Sequence, residues 1–148
     1  MPINQTRETV RIWLESQTFG EALDWFGVNV LYWDSDAETK LKGFVVPQSI
    51  NEQAGTRQGL DSINQIEIAV LQKLEFNTPA EELARQDKLL ELVREIKARL
   101  LHVDQIGGQL AQIPTNVPTA PMNPEAAQKQ IFLGSFFIDF LETAPPRA

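Results

Sequence analysis

The sequence predicts a single α+β domain: a small, mainly antiparallel or mixed sheet with an N-terminal helix and a long helix packed on it. Apolar residues recur at helical spacing in two segments and alternate with polar residues in several others. The length of 148 residues suffices for one hydrophobic core and leaves little room for a second. The composition, 43% hydrophobic and 22% charged, is typical of a globular protein. We therefore expect residues 1–148 to form one domain.

A helix at residues 5–17 and a strand within residues 19–33 are the first two elements predicted. In the first segment Val10 and Leu14 lie one helical turn apart, and Thr6 precedes them as an N-cap residue. The second segment is rich in aromatic and β-branched residues, which favour strands. Its apolar side chains fall on both faces, so the strand is expected to be central in the sheet or partly covered by another subunit.

A second strand and a long loop are predicted next. Residues 41–46 form a short strand, and Pro47 is expected to end it because proline lacks the N–H donor that a strand ladder uses. Residues 49–62 are polar and contain Gly55 and Gly59, a composition typical of an exposed loop. Loops of this length in compact domains are often functional, so this loop is a candidate contact arm.

Two further strands are predicted at residues 63–74 and 131–141, because both segments alternate in polarity. In the earlier strand, Ile66, Ile68 and Val70 share one face. The later strand carries Phe132, Phe136, Ile138 and Phe140 on one face and Ser135 and Asp139 on the other.

A long helix is predicted between these strands. Thr78 is an N-cap residue, Pro79 occupies the first helical position and Glu81 completes a capping box. The helix is expected to run to about Leu101. Its apolar side is formed by Leu83, Leu89, Leu90, Leu92, Val93, Ile96 and Leu100.

Residues 107–130 are predicted to be an extended connector. The segment opens with Gly107 and Gly108 and holds four prolines up to Pro124, and both residue types interrupt regular structure. Residues 143–148 form a short C-terminal tail.

Charge and composition argue against several classes of function. A net charge of −7 opposes nucleic-acid binding, because that affinity depends on Lys and Arg neutralising phosphates. The absence of cysteine excludes disulfides and thiolate metal sites. The first residues do not form a secretory signal, and no apolar run approaches the roughly 20 residues that span a bilayer. We expect no membrane partner.

No catalytic, cofactor-binding or metal-binding residues are predicted. His102, the single histidine, follows the long helix. A hydrogen-bond donor at this position can pair with the backbone carbonyl groups that the last helical turn leaves unpaired. No Gly-x-Ser-x-Gly elbow presents a nucleophile. The acidic residues 34–38 resemble the start of a calcium loop, but Thr39 replaces the required glycine and Val45 the bidentate carboxylate. We therefore expect a protein that is not an enzyme.

Four aromatic residues have two alternative interpretations. Trp25, Phe26, Tyr32 and Trp33 form either part of the core or a subunit interface, in which aromatic side chains give a large contact area. Arg57, in the predicted loop, is a further candidate interface residue.

The order of the predicted elements and several short segments resemble those of the phage tail-terminator and neck proteins. The resemblance spans most of the chain and rests on the N-terminal helix and five segments: strand residues 42–47, Thr56-Arg57 before a strand at residues 66–70, the acidic helix at residues 87–101, and the aromatic strand at residues 136–140.

This resemblance implies a structural protein of the virion, assembled in the host cytoplasm. Family members form a ring, a homohexamer, that closes the tail tube, joins it to the head connector and lets DNA pass through its lumen without specific binding. Each copy in such a ring offers two different surfaces. Another neck or head-completion subunit and a small acidic protein-binding module remain alternatives.

Overall fold

The computed structural model describes residues 3–30, 40–54, 60–74, 78–103, 105–106, 109–112 and 130–143. These residues form an α+β fold of two helices and six strands. In chain order the elements are α1 (Ile3–Glu15), β1 (Asp24–Gly27), β2 (Lys42–Ala54), β3 (Leu60–Lys73), α2 (Pro79–Leu101), β4 (Gln105–Ile106), β5 (Gln109–Gln112) and β6 (Ile131–Thr143).

All six strands belong to one mixed sheet with the order β1-β2-β3-β6-β5-β4. Strand β1 pairs with β2 in parallel, and every other described pairing is antiparallel. The predicted fold class is therefore confirmed. The predicted strand within residues 19–33 is shorter than expected. Of its two expected settings, a central position in the sheet is wrong, because β1 lies at one edge, and coverage by another subunit stays a prediction.

Both helices pack on the same face of the sheet. Helix α1 contributes Val10 and Leu14 to the core between helices and sheet. From α2 the buried residues are Leu89, Leu92, Val93, Ile96 and Leu100. The strands contribute Ile66, Ile68, Val70, Phe132, Phe136, Ile138 and Phe140, as the alternating pattern predicts.

Two side chains differ from their predicted roles in the helices. Thr6 does not cap α1, because the helix begins at Ile3; its buried hydroxyl instead accepts a hydrogen bond from Asn64 Nδ2 at 3.0 Å. Leu83 is 59% exposed rather than part of the buried side of α2. Helix spacing alone could not show that Leu83 lies beyond the area that the sheet covers.

The predicted loop at residues 49–62 is for the most part strand. Strand β2 continues past Pro47 with a register shift between Pro47 and Ser49, and it pairs with β3 up to Ala54 opposite Leu60. The Val45 carbonyl accepts a hydrogen bond from the Val28 N–H, so the backbone groups of Val45 point away from β3. Backbone groups two residues apart in a strand point to the same side, and the backbone nitrogen of Pro47 therefore also points away from β3. Its missing N–H therefore costs no bond to β3.

The predicted connector at residues 107–130 also contains regular structure. Residues 109–112 form β5, which pairs with β4 on one side and β6 on the other. Residues 113–129 and the tail beyond Thr143 lie outside the described part of the chain. The sequence pattern missed β4 and β5 because strands this short carry too few residues for alternation to be visible.

Helix α2 begins as predicted. The Thr78 hydroxyl accepts a hydrogen bond from the Glu81 backbone N–H at 3.3 Å, and Pro79 occupies the first turn. At the other end His102 is the C-cap residue, and its backbone N–H donates to the Arg99 and Leu100 carbonyl groups.

Removing the Thr78 hydroxyl is expected to destabilise the protein. Thr78→Ala leaves the Glu81 N–H without its acceptor and should lower the free energy of unfolding by about 1 kcal/mol. Thr78→Ser keeps an oxygen at this position and serves as the control. Urea unfolding of both variants measures the difference, and equal stabilities would contradict a capping role for this side chain.

Candidate functional site

The two faces of the sheet differ in what covers them. The face opposite the helices, here called the open face, carries a row of register partners formed by Phe26, Phe44, Ala69 and Ser135 on neighbouring strands. The buried apolar residues of α1 and α2 all belong to the core on the other face. Within the described parts of the chain, no helix packs on the open face.

An aromatic pair lies on the open face at its β1 edge, in which Phe26 is exposed and Phe44 is partly buried. Phe26 is 43% exposed, and its ring centroid lies 5.8 Å from that of Phe44. The Lys42 Nζ atom lies 5.8 Å from the Phe26 centroid, within the range of a cation–π interaction. Phe26, Phe44 and Lys42 are called the aromatic patch below. Next to it, Lys40 forms an ion pair with Asp24.

Exposure on the open face is uneven. Ala69, Leu71, Ile131 and Leu133 form a small buried cluster there, against which Phe44 packs. Phe26, at the β1 edge, is by contrast among the exposed large hydrophobic residues. The aromatic patch is therefore where this face offers apolar surface to solvent.

The structure separates the candidate interface residues of β1. Trp25 is buried on the helix face, 6.3 Å from the Phe19 ring, whereas Phe26 points to the open face, because successive residues of a strand alternate. The core interpretation therefore holds for Trp25, and Phe26 is the member of this pair available to a partner. Tyr32, Trp33 and Arg57 lie outside the described residues.

Sequence reasoning missed Phe44 and Lys42 as members of the candidate surface. The parallel pairing of β1 with β2 brings Phe26 beside Phe44, although 18 positions separate them in the sequence. The alternation of residues 42–46 does place Lys42 and Phe44 on one face of a strand. That signal could not show which strand lies beside β2.

The charged residues of α1 interact mainly with one another. Arg11 binds Glu8 at 2.8 Å and Glu15 at 2.7 Å, and Arg7 contacts Glu8 at 3.2 Å. The hydrogen bond from Arg11 lowers the pKa of the Glu8 carboxyl below its ordinary value, and the same bond raises the pKa of Arg11. These charges form a solvated network, so this side of α1 is a weak candidate for a binding surface.

A polar cleft of about 440 Å³ lies where the turn after α1 meets α2. The Gly20 N–H lies 3.1 and 3.0 Å from the two carboxylate oxygens of Glu95. Arg85 bridges Glu21 at 2.7 Å and Gln72 at 2.9 Å. Glu95, Glu21 and Arg85 thus hold the turn and β3 to the helix, which accounts structurally for these three charged groups of the cleft.

Two features are absent from the described residues: a metal-binding cluster and a helix able to span a membrane. These residues contain no group of three or more His, Asp or Glu side chains arranged to hold a metal ion. Over the same residues, neither helix combines the length and apolar character that crossing a membrane requires.

Comparison with known proteins gives no family assignment. No protein-family model matches the sequence. No curated protein matches it either.

Proposed function

We propose that this chain is a structural, non-catalytic subunit of a phage tail: a tail terminator that forms a ring, closes the tail tube and joins it to the head connector. The observation that carries the proposal is the aromatic patch on the open face. Exposed aromatic side chains are enriched in protein interfaces relative to the rest of the surface.

A ring requires two different surfaces on each copy, because each subunit contacts its neighbours head to tail. Exposed apolar residues occur on both layers of this fold. Phe26 lies on the open face, and Leu83 and Leu101 lie on α2, on the other side of the sheet. The two layers face opposite directions, which suits head-to-tail association.

Charge supports the part of the proposal that concerns DNA. With a net charge of −7, a ring of these subunits repels phosphates and lets DNA pass through its lumen without specific binding. The protein would be part of the virion, after assembly in the host cytoplasm, with tail-tube and connector proteins as its neighbours.

The chemistry of the described residues favours an assembly role over catalysis. His102, the single histidine of the sequence, is exposed at the C-cap of α2. General acid–base catalysis uses groups that are positioned in a cleft beside a nucleophile or substrate. The C-cap position at the end of α2 accounts for His102 without a catalytic role.

Native mass spectrometry and electron microscopy of the purified protein test the proposal. A ring of about six copies is expected, because the resemblance to tail terminators implies a homohexamer, and head-to-tail contacts that close form such a ring. Phe26→Ser should give a folded monomer, because this side chain lies at the sheet edge outside the core between helices and sheet, and circular dichroism verifies the fold. Ile12→Ser, on the exposed side of α1, should keep the ring and serves as the control.

A monomeric wild-type protein at high concentration would contradict the proposed ring and favour the protein-binding module instead. Retention of the ring by Phe26→Ser would show that the aromatic patch does not carry the assembly.

A further inference from the structure

We draw no further inference here: the strongest candidate, the exposed apolar surface of α2 at Leu83 and Leu101, carries no proposal because nothing in the structure shows what covers it.

Discussion

Replacing Phe136 with alanine is expected to lower the free energy of unfolding by about 3–5 kcal/mol, as for other large core residues. Phe136 is 1% exposed, lies opposite Ile68 on the neighbouring strand and belongs to the core beneath the helices. The truncation removes apolar contact area and leaves a cavity that a well-packed interior fills only in part. The loss is a large share of the roughly 5–15 kcal/mol that stabilises a typical domain.

Phe137→Ala is the matched control for this prediction. Phe137 is the next residue of the same strand, but it lies on the open face and is only partly buried. The two substitutions change strand propensity equally, so the difference between them reports burial. Urea unfolding with a fixed m value measures both free energies. An equal loss in the two variants would contradict the assignment of the core to the helix face.

Adding one methyl group at Gly43 is expected to destabilise the protein by about 1–3 kcal/mol, the usual effect of overpacking. Trp25 and Gly43 are register partners on the helix face, and the indole ring lies over the glycine. A Cβ atom at Gly43 would lie less than 3.0 Å from three ring carbons of Trp25. Alanine is otherwise the better residue in a strand interior, so a loss of stability identifies the contact with Trp25 as its cause.

A double-mutant cycle with Trp25→Val tests that cause. In the Trp25→Val background, Gly43→Ala should be neutral or stabilising, because the added methyl group enters space that the indole ring has left. The coupling between the two positions should be of order 1–3 kcal/mol, as for side chains in direct contact. Urea unfolding of the four proteins gives this value. Equal effects of Gly43→Ala in both backgrounds would show that the ring does not limit this position.

The elements that the sequence predicted well are those whose signals are local. The capping residue Thr78 and the spacing of Leu89, Val93 and Ile96 predict α2 because a helix is stabilised by contacts three and four residues apart. Strands β3 and β6 were predicted with the correct faces because one of their faces is fully buried. The apolar residues of that face recur at every second position, although Ala69, Leu71, Ile131 and Leu133 on the other face are buried as well.

The predictions that failed depended on neighbours in space. Pro47 was expected to end β2, but its N faces away from β3, so the strand continues into a long hairpin. The polar residues on that hairpin were interpreted as a loop, because pairing between backbones needs no apolar side chains. Trp25 and Phe26 could not be separated either, since the sequence does not show which face of β1 meets the helices.

By itself, the sequence determined the α+β class, the long helix and the helix-facing residues of β3 and β6, because the regular spacing of apolar residues marks each of them. Only the tertiary structure decided that β1 is an edge strand beside β2 and that Phe26 meets Phe44 on the face opposite the helices. The physical reason is the range of the interaction. Hydrophobic periodicity is written into neighbouring residues, whereas strand order is set by pairing between segments far apart in the chain.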